Sequence, residues 1–333
     1  MSEIANPIVW QLWAMLAVVF VVIVVVNLTS TNKNSPFSNF VALSAEDMRK
    51  PVLWLYYDTD DINSRRWSDF GARSERALNA PFLNLCHESI ISQNKNIYRI
   101  EVIGGLTGVA DLLGGWDTMP SGFQMHGALV PVRERELNWI RTAILAKHGG
   151  LWVCPHSIAI RPFGELSKEL PVFFGTDMGE TYAGKEGGTV VPGFNSIWSP
   201  RPGLPFFTEW EQICRYRLDN KTGGQEIRRD ENWDWVALSS KYPSLVNSRG
   251  ECSRKEDGKR IEIEDLLATG CKGLMPFSIA SDAVYVPLFW RELKMRTSYE
   301  WFLRLDEFQI MESDLVVRYI FDTTKTKEQI SLD

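Results

Sequence analysis

Residues 8–26 read IVWQLWAMLAVVFVVIVVV, nineteen positions with no charge and Gln11 as the one polar side chain. A helix rising about 1.5 Å per residue crosses a ~30 Å hydrocarbon core in about 20 residues, so a run of this length suits a bilayer better than a soluble core. Trp10 and Trp13 lie near one end, where indole rings favour the membrane interface. A cleaved signal peptide would show a basic leader, a shorter apolar run and small residues at its end. Here Glu3 is the one charged side chain ahead of the run and valines fill its end. The expectation is a short tail at 1–7, a single transmembrane helix at 8–28 and a lipid bilayer as partner. Lys33, Arg49 and Lys50 follow the run and lean the rest of the chain towards the cytoplasmic face.

Beyond the run the chain changes character. Residues 29–50 are rich in Ser, Thr and Asn and read as a stem, which leaves 51–333 as a globular body. The formal net charge is −6. An acidic balance supplies no concentrated basic surface, so nucleic acid is not an expected partner. The five cysteines, Cys86, Cys154, Cys214, Cys252 and Cys271, are odd in number and widely spaced, and no disulfide framework can be read from them.

Periodicity in the body predicts alternating strands and helices. Residues 52–57 (VLWLYY) and 97–103 fit buried strands. Between them Asn79 could cap a helix carrying Phe82, Leu83, Cys86 and Ile90, and 106–113 reads as a short helix ended by Gly114-Gly115. Residues 132–148 place Leu137, Ile140, Ile144 and Leu145 on one side before Gly149-Gly150, and 151–160 then alternates as one strand. Strands are expected at 171–175 and 193–198, and a helix at 206–218. The pattern indicates an α/β layered fold with a mainly parallel sheet flanked by helices. Polar residues 220–260 read as a loop-rich insertion.

The segment 134–163, ERELNWIRTAILAKHGGLWVCPHSIAIRPF, resembles the core of the capsular polysaccharide synthesis and DXD-containing sugar-transferase families. Their shared pattern is a helix with Ser-Asp-x-x-Arg, then Leu-x-x-x-Gly-Gly-(Leu/Ile)-(Tyr/Trp), then Asp-x-Asp. It is matched here by Arg141, Leu145, Gly149, Gly150, Leu151 and Trp152. VLWLYYD and Leu85-Cys86-His87-Glu88-Ser89-Ile90 are similar to the family's first strand and helix, and 193–206 to the segment after its sugar site, so the likeness covers about 51–210. It implies a GT-A fold and transfer of a sugar from a nucleotide diphosphate to a glycan or other hydroxyl acceptor. In such enzymes Mn²⁺ or Mg²⁺ held by the Asp-x-Asp carboxylates neutralises the leaving diphosphate.

This chain departs from the pattern where the metal should sit. Cys154, Pro155 and His156 occupy the metal-motif positions, and Asn138 replaces the helix aspartate. Thiol and imidazole favour Zn²⁺ or other soft metals over hard oxygen-seeking ions. A zinc site needs further ligands, for which His126, His148 and Cys271 are the residues at hand. Nucleotide-sugar contacts are therefore expected from Tyr57, Asp58 and Asp60 at the end of the first strand, and from Asn138 and Arg141, whose guanidinium suits a diphosphate. Asp177, Asp230 and Asp234 are candidates for a base. Trp233 and Trp235 are candidates for stacking on an acceptor sugar. Two functions follow: a membrane-anchored glycosyltransferase with an altered site, or a catalytically inactive GT-A-like body tethered to the membrane as a scaffold among protein neighbours.

Overall fold

The computed structural model describes residues 47–58, 80–125, 128–130, 132–175, 193–220, 231–243, 247–249, 253–270 and 274–325, all within one compact unit, Ala45–Asp333. Among them no helix is long and apolar enough to cross a membrane. The run at 8–28 and the stem up to residue 46 lie outside the described residues.

In chain order the elements are β1 (Val52–Tyr57), α1 (Phe82–Asn94), β2 (Arg99–Gly104), α2 (Gly105–Leu113), a small hairpin of β3 (Gln124–Met125) and β4 (Ala128–Leu129), α3 (Glu134–His148), β5 (Gly150–Val153), β6 (Ser157–Ala159), β7 (Val172–Phe174) and β8 (Ser196–Ser199). There follow α4 (Pro205–Asp219), α5 (Glu231–Lys241), β9 (Asn247–Arg249), α6 (Ile263–Leu266), β10 (Tyr285–Pro287), α7 (Trp290–Met295), α8 (Glu307–Glu312) and α9 (Val316–Thr324).

Six strands form the main sheet in the order β2-β1-β5-β8-β7-β9. β8 runs against both of its neighbours, while β2, β1, β5, β7 and β9 share one direction. Leu53 of β1 stands opposite Ile100 of β2 on one side and Leu151 of β5 on the other, which fixes the register at the centre. The sheet is mixed but mainly parallel, as the alternating pattern predicts.

Successive side chains of a strand point to opposite faces, and here both faces are covered. Leu53, Leu55, Tyr57, Leu151, Val153, Val172 and Phe174 enter one core with α1, α9 and the small sheet β6–β10. Trp54, Tyr56, Trp152, Phe173 and Ile197 enter the other with α2, α3, α4 and α5. Trp54 and Trp152, read from sequence as strand residues, are buried in this second core.

Two stretches differ from the periodicity reading. Residues 151–160 are not one strand: β5 belongs to the main sheet, β6 pairs with β10 in a second sheet, and Cys154-Pro155-His156 is the turn between them. Within 220–260, residues 231–241 form helix α5 and 247–249 add the edge strand β9 beside β7.

Gly149 and Gly150 have a packing reason. Their φ angles are +66° and +95°, a region that suits residues without Cβ. A Cβ on Gly150 would lie 2.6 Å from the Val52 carbonyl oxygen and 2.8 Å from Trp54 Nε1. That indole N–H donates to the Gly149 carbonyl at 2.7 Å, so the pair lets β5 start flush against β1.

Candidate functional site

From β1 the chain moves outward to β2, then returns to lay β5 on the opposite side of β1. In open α/β sheets ligands settle outside the carboxyl ends of strands at such a reversal. The residues leaving β1 there are Tyr57 and the half-buried Asp58; those leaving β5 are Cys154, Pro155 and His156. The backbone N–H of Cys154 donates to the Asn195 carbonyl at 2.7 Å, which ties this edge to the segment entering β8.

Tyr57 is almost fully buried, and its hydroxyl lies 2.9 Å from Nδ1 of His87 on α1. Burial pushes the Tyr57 phenol well up, with the neighbouring thiols Cys86 and Cys154 adding in the same direction. Burial also raises Cys86, and lowers His87 below its usual 6.5. At neutral pH burial therefore favours the neutral forms of Tyr57, Cys86 and His87, with one hydrogen bond shared between the Tyr57 hydroxyl and His87 Nδ1. On the β5 side, Cys154 Sγ lies 3.5 Å from Nδ1 of His156, and the His156 ring stacks on Trp290 with centroids 4.8 Å apart and planes 13° from parallel.

Mn²⁺ or Mg²⁺ takes oxygen ligands, and the β5 exit offers a thiol, a proline and an imidazole. The described residues therefore do not fit the divalent ion that the resemblance implies. Nor do they build a zinc site: among the described residues no group of three or more His, Cys, Asp or Glu could hold a metal ion. His148 bonds the Leu112 carbonyl at 3.1 Å instead, and His126 and Cys271 lie outside the described residues.

Several candidates are used in packing. Arg141 is 6% exposed and donates to the Phe194 carbonyl at 2.7 Å and to Asn138 Oδ1 at 2.6 Å, with its guanidinium 5.2 Å from the Phe194 ring centroid. Asn138 in turn donates to Cys214 Sγ at 3.1 Å. This network ties α3 to α4 and to the chain entering β8. Asp234, read as a candidate base, is 2% exposed and is gripped by both terminal nitrogens of Arg217, one at 2.5 Å. A carboxylate held in this bidentate way anchors α5 on α4 and is not poised to take a proton. Trp235 is 5% exposed and packs edge-on against Phe173, so it is core rather than an open platform for a sugar. Trp233 is 39% exposed on the same helix. Asp60, Asp177 and Asp230 lie outside the described residues.

His87 and Trp290 were not among the sequence candidates. His87 follows Cys86 on the first helix, a position that flags proximity to the end of β1 once α1 is seen to pack there. Trp290 lies more than 130 positions from His156, and no local pattern could join them.

No family model and no curated protein matches the chain. Among solved structures, the glycosyltransferase GlyE of Streptococcus pneumoniae TIGR4 is similar at 11% identity over 85% of this chain, with a TM-score of 0.35. The chain spans 62% of the length of that structure.

Proposed function

We propose that this chain is a membrane-anchored, glycosyltransferase-like protein whose sheet-end crevice receives a nucleotide-diphosphate sugar without a divalent ion at the β5 exit. One observation carries the reading: Tyr57-Asp58 and Cys154-Pro155-His156 flank the reversal point of a mainly parallel sheet, at the positions where the family resemblance puts the donor. Asp58 supplies a carboxylate suited to ribose hydroxyls. The Tyr57–His87 pair fixes the wall beside it. Anchoring rests on the 8–28 run, which holds the body next to a bilayer and to acceptors or neighbours there.

A specific observation favours a second reading. Asn138, Arg141 and Asp234 are committed to buried protein contacts, and the metal-motif carboxylates are replaced. A body with this core, and with no catalytic carboxylate in place among the described residues, serves as a tethered scaffold for an assembly. Thermal unfolding of the full chain in mild detergent, with UDP- and GDP-sugars in EDTA, separates the two. A donor at a hundred times its Kd stabilises by about 2.7 kcal/mol, and the transferase-like reading expects that shift for one nucleotide class. An unmoved transition with every donor supports the scaffold.

A further inference from the structure

The turn that leaves β5 holds a pair of groups whose chemistry is not explained by packing. Cys154 is half-buried, whereas Cys86 and Cys214 are closed off, and its sulfur lies 3.5 Å from His156 Nδ1. Packing holds that imidazole in place. Its ring stacks on Trp290, and the His156 carbonyl accepts from the Leu288 N–H at 2.8 Å. Between Leu288 and Trp290 stands Phe289, with φ +45°, the one non-glycine residue in the left-handed region among the described residues. Such a conformation is strained for a bulky residue and persists where surrounding contacts over-determine it. Ser157, next after His156, is 1% exposed, and its hydroxyl makes no hydrogen bond among the described residues.

A thiol in contact with an oriented imidazole is the arrangement that yields a nucleophilic sulfur. We propose that Cys154 and His156 form a nucleophilic couple that undergoes thiol–disulfide exchange with small disulfides. His156 takes the Cys154 proton, and the thiolate attacks one sulfur of the disulfide R–S–S–R. The S–S bond breaks as the Cys154–S–S–R bond forms, and the departing thiolate leaves as R–SH with the proton from His156. Three described titratable groups around Cys154 keep their own protons or partners. Tyr57 from β1 and Cys86 from α1 are kept protonated by burial, and His87 is engaged with the Tyr57 hydroxyl. The site stands whether or not the crevice binds a nucleotide sugar.

The full chain in detergent is treated with 4,4′-dithiodipyridine, and the modified cysteines are mapped by mass spectrometry over time. Cys154 should acquire the pyridyl label at least roughly tenfold faster than Cys86 and Cys214, with a rate midpoint below the ~8.5 of an ordinary thiol. His156→Asn should slow that labelling roughly tenfold at pH 7 and move its midpoint upward, while Cys154→Ser removes the fast phase. Labelling of Cys154 with the pH profile of an unstructured cysteine peptide, or at a rate indifferent to His156→Asn in a folded variant, overturns the proposal. The wild-type profile alone decides the matter if the variant does not fold.

Discussion

Replacing Asp234 by alanine leaves the Arg217 guanidinium without its bidentate partner in a site where the two side chains are 9% and 2% exposed. Removing one member of a buried pair costs about 3–5 kcal/mol, because the remaining charge has lost its compensation and is too enclosed for water to replace it. An exposed pair such as Lys241–Glu209 is screened by water and contributes far less, so the two classes are well separated in size. Urea unfolding of the full chain in detergent, followed by tryptophan fluorescence, gives the difference directly. The double variant Arg217→Met, Asp234→Leu should recover most of the loss, since apolar replacement of both partners is often neutral or stabilising. A loss below about 1 kcal/mol for Asp234→Ala, or a double variant as damaged as the single one, would refute the assignment of Asp234 to structure and return it to the list of candidate bases.

Three further outcomes follow from the same packing. Trp235→Ala should cost about 3–5 kcal/mol in urea unfolding, whereas Trp233→Ala on the exposed side of the same helix should stay near 0.5 kcal/mol. Gly150→Ala combines positive-φ strain of about 1–3 kcal/mol with overlap on the Val52 carbonyl of similar size, while Gly164→Ala, with φ +72° and open space around it, carries the strain alone. His87 is lowered by burial, so the unfolded chain binds its proton more readily. Its stabilising contribution is complete above about pH 6.5 and is lost as pH falls below that value, and His87→Gln should flatten the decline between about pH 7 and 5 in a melting series.

The order of strands and helices was legible in the sequence because period-2 and period-3.6 patterns are local. Leu53, Leu55 and Tyr57 alternate with Trp54 and Tyr56 between two cores, and Gly149-Gly150 marks the close approach of β5 to β1. The break inside 151–160 was hidden because residues on both sides of the turn are apolar: Val153 and Ile158 belong to the same core although their strands lie in different sheets. Edge strand β9, Asn247-Ser248-Arg249, is polar and owes its place to pairing with β7, which no composition signals.

The candidate site was legible in part for the same reason. Tyr57 sits at a strand end that periodicity locates, whereas Cys154 and His156 are singled out by the family resemblance and lie in the hidden break between β5 and β6. Burial of Arg141, Asp234 and Trp235 depends on Phe194, Arg217 and Phe173, partners brought in by tertiary structure. A charged residue on a predicted helix looks the same in sequence whether it faces a ligand or a carbonyl.

We propose that the site between the exits of β1 and β5 binds a nucleotide sugar without help from a divalent ion. Calorimetric titration of the full chain with UDP- and GDP-sugars, first in EDTA and then in Mn²⁺, tests it directly. Saturable heat is expected with one nucleotide class in EDTA, with the same affinity when Mn²⁺ is supplied. Binding that appears only with Mn²⁺, or no heat with any donor in either buffer, would contradict it.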